Sequence, residues 1–239
     1  MPRPPRPLTD GGCYHVIARG NNRQQLFVND AAFLFLRDCL GSAKIRYPFK
    51  LYHYCLMPNH IHLLLQLVEA HHLPKAMQVV LQRFGRWFQR RTSYVGHVWQ
   101  GRYKSLWVTK ESYFLEVGRY IERNPVRAGL VTDSDAYPWS SYPYYVHGTN
   151  DALIDEDPYY DRIGKTLERQ QQAYRRFVAL PSRYEETLDQ ALFGQHDMAH
   201  LQRRTPPWYT GTRFYLQRRT PPLEIEAKGA RFDGASRRE

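Results

Sequence analysis

His60 and His62 flank Ile61 in the segment HIHLLLQL. The run is short and apolar, which predicts a strand. Strand side chains alternate, so both imidazoles leave one face and Ile61 leaves the other. Two neutral imidazoles side by side can hold one divalent cation. Taken alone, such a pattern is more often a buried, hydrogen-bonded histidine with a chance neighbour. A second group with chemical potential is the pair Tyr113 and Tyr120 in KESYFLEVGRYIER. They are seven residues apart, close to two helical turns, so they share a helix face. A phenol with a pKa of about 10 is a weak nucleophile until a cation polarises its target. Ordinary aromatic packing is the alternative for each tyrosine. Tyr103, in GRYKS, is a more distant candidate.

The charge of the chain points to an anionic partner. Its 34 Lys and Arg exceed its 23 Asp and Glu, a formal net charge of +11. Cations set against phosphates release condensed counterions, which favours nucleic acid. The 18 Tyr and 5 Trp suit stacking on unpaired bases as well as any core. The DNA-contacting candidates are Arg19, Asn21, Asn22 and Arg23 in one polar loop, Arg83 and Arg86 on one helical stripe, and Arg102 with Lys104. Arginine forks onto phosphate or guanine, and asparagine suits adenine.

Other features exclude chemistry. Cys13, Cys39 and Cys55 form no C-x-x-C pair, so they read as reduced thiols rather than disulfides or zinc ligands. No G-x-x-x-x-G-K-[ST] loop is present. His196 to His200 (HDMAH) has Asp where a zinc-protease helix needs Glu, and reads as an ordinary polar helix end. His71, His72 and His97 read as solvated or capping residues. The opening MPRPPRPLTDGG has no apolar stretch of signal-peptide type, and no segment is long and apolar enough to span a membrane, so a cytoplasmic protein is expected.

These side chains need a frame. Tyr14 to Ala18 reads as a strand. Asp30 is the expected cap of a helix carrying Phe33, Leu34, Leu36, Leu40 and Ile45. Leu51 to Met57 and His60 to Leu67 form a hairpin turning at Pro58-Asn59. A long helix covers about 74–91, one or two strands lie within 98–109, and a helix covers 110–123, ended by Asn124-Pro125. The order predicts an α+β fold with a mostly antiparallel sheet and packed helices. From Asp151 the chain becomes helical and rich in Gln and Arg, with helices expected at 167–180 and 184–193. LQRRTPP begins at Leu201 and again at Leu216, in a basic tail.

The segments MPNHIHLLL, GRYKS, the Tyr113 helix and RYIERNPVRAGLV occur in an order and at intervals that resemble the REP-associated tyrosine transposases. These are relatives of the single-tyrosine HUH transposases. YHVIARGNNRQQLF and YPWSSYPYY add to the resemblance, which spans roughly Tyr14 to His147. It implies a ferredoxin-like antiparallel sheet with packed helices, a helical C-terminal extension and a basic tail. The corresponding division is 1–150 catalytic domain, 151–200 extension and 201–239 tail. It further implies that His60 and His62 bind Mg²⁺ or Mn²⁺, and that Tyr113 attacks single-stranded or hairpin DNA to form a 5′-phosphotyrosine. The expected result is cleavage and rejoining of strands at REP-like hairpins. Glu116, one turn after Tyr113, is the candidate third ligand, since Val117 cannot ligate. Arg127 reads as neutralising a helix end. Both a monomer and a homodimer with Tyr113 acting in trans fit the sequence. So do two rival readings, a hairpin-binding protein that does not cut and a metal-dependent phosphodiesterase that uses water.

Overall fold

The computed structural model describes residues 7–108, 111–182 and 184–192, with residues 111–113 described by their backbone alone. The tail repeat and the His196–His200 pattern lie outside these residues. Four strands form the frame: β1 (Cys13–Arg19), β2 (Phe49–Met57), β3 (His60–Leu67) and β4 (Lys104–Val108). Their order across the sheet is β2-β3-β1-β4, and every neighbouring pair is antiparallel. Two helices enter the βαββαβ core, α1 (Asp30–Arg46) and α2 (His72–Thr92), followed after β4 by α3 (Glu111–Arg127). This is the ferredoxin-like arrangement anticipated from the sequence. Among the described residues of the 98–109 span there is one strand, β4, and Trp99 makes an isolated bridge with Gly20.

The alternation of β1 and β3 builds two cores. Tyr14, Val16 and Ala18 of β1, with Ile61, Leu63 and Leu65 of β3, face α1 and α2. On the opposite face Ile17 and Leu64 pack with Phe114, Val117, Tyr120 and Ile121 of α3. Both central strands are therefore covered on both faces, which explains their nearly continuous apolar sequence. In β2 the pairing passes from Leu51–Leu65 to His53–Leu64, so one extra residue is accommodated. Tyr52 and Cys55 both pack in the α3 layer, and His53 pairs with Leu64 of that layer. The bulge thus turns two successive side chains toward α3.

Several boundaries differ from the sequence expectation. Asn29 caps α1, its side chain accepting from Ala32 N at 3.1 Å, and Asp30 is the first helical residue. Leu34 and Ile45 are exposed, while Ala32, Cys39 and Ala43 join the buried face of α1. α3 does not stop at Asn124-Pro125 but continues to Arg127. Pro125 has no N–H for the Ile121 carbonyl. The Asn124 side-chain amide compensates, donating to Tyr120 O at 2.8 Å and Ile121 O at 3.4 Å. The helix ends at Gly129 with φ +66°, where Leu130 N donates to Pro125 O at 2.9 Å and Gly129 N to Val126 O at 3.0 Å. That pairing is a Schellman close, and the NPVRAGLV segment encodes it.

The chain after α3 supplies α4 (Tyr142–His147), α5 (Leu167–Ala179) and a helical stretch at 185–192. It covers the outer edge of β2, where Leu56 N donates to Trp139 O, Ser141 N to Tyr54 O and Asp155 N to Leu51 O. A buried polar cluster fastens it to the sheet. His53 Nδ1 lies 3.0 Å from Glu122 Oε1 and His53 Nε2 lies 2.9 Å from Asp157 Oδ2. Ser141 Oγ and Tyr174 OH donate to the same Glu122 carboxylate at 2.5 and 2.9 Å. Burial alone would depress the His53 pKa, but hydrogen bonds to the Asp157 and Glu122 carboxylates overcome it and raise it to about 9. The ring is therefore an imidazolium between two carboxylates at neutral pH.

Candidate metal and tyrosine site

His60 and His62 leave β3 on the α3 face, as the alternation requires, with ring centroids 4.8 Å apart. His60 Nδ1 lies 2.5 Å from Asn59 Oδ1. A carboxamide oxygen only accepts, so Nδ1 of His60 carries the proton and Nε2 presents the lone pair. His62 Nδ1 lies 2.9 Å from His15 Nε2. In the register of β1 with β3, Ile17 is opposite His62 and Leu64 is opposite His15. The two histidines are thus diagonal neighbours on one face. His15 is fully buried and was not singled out from the sequence. Its signal was a histidine of α3-facing parity inside an apolar strand.

Burial depresses all three histidines. His15 is pushed down to about 3 by burial alone, and His60 to about 3 by burial and then by Arg19. His62 is held well below its ordinary value by burial, then by His60, His15, Arg19 and Arg127. Neutral imidazoles with Nδ1 engaged inside the protein and Nε2 directed to a cation are the usual form of histidine ligands. The donor set therefore fits a divalent cation.

α3 brings Tyr120 to these histidines, while the Tyr113 side chain lies outside the described residues. The Tyr120 ring stands edge-on at 5.8 Å from His62 and 5.6 Å from His15. Tyr113 lies on the first turn of α3, about 10 Å earlier along the axis at 1.5 Å per residue. The next residue, Phe114, packs on Tyr52 and Tyr159 near the far end of the sheet. Tyr103 is buried in the core under α1 and α2, on the wrong face. Glu116 is also turned away from the histidines. It pairs with Arg119 and accepts from Ser182 Oγ at 2.6 Å. Among the described residues, the one trio of His, Cys, Asp or Glu with ligand atoms within 4.8 Å of each other is Glu69, His71 and His72. That trio follows the other end of β3.

Tyr120 is fully buried and donates to Asp189 Oδ1 at 2.6 Å. Burial, then the Asp189 carboxylate, raises its pKa. Arg127 lies over the Tyr120 ring at 5.0 Å, pairs with Asp189 and reaches Glu185 at 3.3 Å. Arg123 holds Glu185 at 2.8 Å and caps α5 by donating to Val178 O and Ala179 O at 2.8 Å each. The 185–192 stretch is thus clamped over the tyrosine by α3 arginines. Asp189 was not foreseen from the sequence, and Arg127 does more than neutralise a helix end.

The basic candidates divide by location. Arg19 is opposite His60 in the sheet, and the Asn21–Arg23 turn follows directly. Asn22 and Arg23 have φ of 47° and 57°, a left-handed pair held by Arg23 N to Gly20 O at 3.1 Å and Gln24 N to Asn21 O at 2.9 Å. Arg102 is exposed beside the start of β4, at the same end of the sheet. Lys104 is exposed too, and its ammonium donates to Leu192 O at 2.7 Å. Arg86 is exposed on α2, while Arg83 reaches Asp38 of α1 at 3.4 Å.

Residues 10–124 match the family described as "Transposase IS200 like". The match takes in all four strands, α1, α2 and most of α3, so this part of the chain is an IS200-like transposase domain. The chain is 28% identical over 147 residues to a Haemophilus influenzae protein named "Putative REP-associated tyrosine transposase", covering 57% of this chain and 83% of that one. It also superimposes on a REP-associated tyrosine transposase solved bound to a REP hairpin, with TM-score 0.53 and 20% identity, over 66% of this chain and 93% of the other. At that identity the likeness speaks for the fold. The resemblance drawn from HIH and NPVRAGLV agrees with all three. Among the described residues, no helix is long and apolar enough to cross a membrane.

Proposed function

We propose that this protein cuts and rejoins single-stranded or hairpin DNA through a tyrosine-linked intermediate, and that Tyr120 is the nucleophile. The observation that carries this is the contact of Tyr120 with His62 and His15. Held by Nε2 of His60 and His62, Mg²⁺ or Mn²⁺ would polarise the scissile phosphate, with water and phosphate oxygens filling the remaining positions. The Tyr120 oxygen attacks phosphorus, a 3′-hydroxyl leaves, and a 3′-hydroxyl later reverses the exchange. One phosphodiester replaces another, so no nucleotide hydrolysis is needed.

A buried hydroxyl bonded to Asp189 cannot reach a phosphate. Attack therefore requires the 185–192 stretch to leave α3, breaking the Tyr120, Arg127 and Arg123 contacts together. Residues 1–150 form the catalytic part in this reading, 151–200 an extension and 201–239 a basic tail. DNA enters at the end of the sheet that carries His60, along Arg19, Asn21, Asn22, Arg23 and Arg102, with Arg86 and the weakly paired Arg83 contributing charge from α2. Lys104 joins once its bond to Leu192 is released by the same movement.

The test is cleavage of hairpin-bearing single-stranded oligonucleotides in Mn²⁺ by the full chain, by Asp189→Ala and by His62→Ala. Cleavage that rises in Asp189→Ala and vanishes in His62→Ala or with chelator supports the reading. Tight hairpin binding with no cleavage by either the full chain or Asp189→Ala identifies a binder instead. Cleavage that leaves no protein on the DNA identifies water as the nucleophile.

A further inference from the structure

We propose that His15 is a positioning residue for His62, fixing which ring nitrogen faces the cation. The proposal rests on the reading of His60 and His62 as metal ligands. His15 and His62 are both fully buried, with Nε2 and Nδ1 2.9 Å apart. A 2.9 Å contact between two ring nitrogens is a hydrogen bond that holds one proton, and it can be arranged in two ways. In the first, His15 Nε2–H donates to His62 Nδ1. The His62 proton then sits on Nε2, and that nitrogen cannot ligate. In the second, His62 Nδ1–H donates to His15 Nε2. The Nε2 lone pair of His62 then faces the cation, and the His15 proton sits on its Nδ1.

The number of protons is the same in both arrangements, so binding selects a tautomer pair without releasing a proton. His15 is what makes the second arrangement possible, because it supplies an acceptor inside an apolar layer. Without it, the His62 Nδ1–H that ligation requires would lose that acceptor in the interior. His60 obtains the same service from Asn59 Oδ1 at 2.5 Å, at the end of the hairpin turn. The two ligands are thus oriented by two different acceptors, one from the turn and one from the neighbouring strand. His15 also lies against the Tyr120 ring at 5.6 Å, so it borders both the ligand and the nucleophile.

Mn²⁺ binding to the full chain without DNA, followed by the paramagnetic resonance signal of unbound Mn²⁺, tests this. His15→Phe is expected to weaken binding about 10- to 100-fold, the usual cost of removing a partner behind a metal ligand. His15→Gln, whose amide oxygen can accept from His62 Nδ1, is expected to recover most of the affinity. His60→Ala should abolish the site. If His15→Phe binds within about twofold of the parent while His60→Ala does not bind, the positioning role is wrong. If His60→Ala binds like the parent, the ligand reading itself has failed and the proposal falls with it. A measurement on the unmutated protein covers the case in which His15→Phe does not fold. Nitrogen-15 histidine spectra with Mg²⁺ should show the His62 proton on Nδ1, and a proton on its Nε2 would overturn the proposal.

Discussion

Replacing His53 with leucine should destabilise the fold by several kcal/mol, and the loss should shrink as pH rises. His53, Glu122 and Asp157 are each at most 1% exposed. Removing the imidazolium leaves two carboxylates in the interior without their counter-charge. Breaking a buried ion pair from one side costs about 3–5 kcal/mol. The second route to the magnitude is linkage. A pKa raised from 6.5 to about 9 is a shift of about 2.5, or roughly 3 kcal/mol. The folded value is the higher one, so this contribution is fully present below pH 6.5 and is lost as pH rises through about 9. Urea unfolding at pH 6.5 and at pH 9.5 to 10, on parent and variant, gives the comparison. The parent should lead His53→Leu by about 3 kcal/mol or more at the lower pH, and the gap should narrow by about 3 at the higher. A gap below about 1 kcal/mol at pH 6.5, or one that does not change with pH, would refute the charged-ring account.

Two further substitutions probe α3. Gly118→Ala would normally favour a helix by about 1 kcal/mol, yet its methyl group would lie 2.8 Å from Nε2 of the pinned His53 ring. A net loss of about 1–2 kcal/mol in urea unfolding is expected, and a gain in stability would show that the ring can move aside. Asn124→Ala should cost about 1–2 kcal/mol because its amide serves the carbonyls around Pro125. Adding Pro125→Ala should restore part of that loss by giving Ile121 O a backbone donor, and strict additivity in the double-mutant cycle would contradict the role assigned to Asn124.

The frame of the molecule was legible because its signals are periodic. HIHLLLQL, the Pro58-Asn59 turn and the apolar spacing of α1, α2 and α3 specify strands, hairpin and helices with little help from context. Agreement of H-x-H with NPVRAGLV then supplied the topology. What stayed hidden depends on position along an element rather than on its face. The spacing of Tyr113 and Tyr120 places them on one side of α3, but that Tyr120 stands over His15 and His62 depends on how far the helix slides along β2. The bulge at Tyr52 and His53 is another such shift. Asp189 is more than sixty residues from Tyr120 in sequence, and nothing local marks it as the phenol's acceptor. At Pro125, a neighbouring side chain offset the usual helix-breaking effect. His15 carried a readable clue, a polar ring at an interior position, but its partner follows only from the strand register.

The most direct test of the central claim is to map the covalent adduct. Full-length protein and Asp189→Ala would be incubated with Mn²⁺ and hairpin-bearing single-stranded DNA, digested with nuclease and protease, and the modified peptide sequenced by mass spectrometry. The account predicts a nucleotide on Tyr120, absent from Tyr120→Phe and still formed by Tyr113→Phe. A nucleotide on Tyr113, or strand cleavage by Tyr120→Phe at the parent rate, would contradict it.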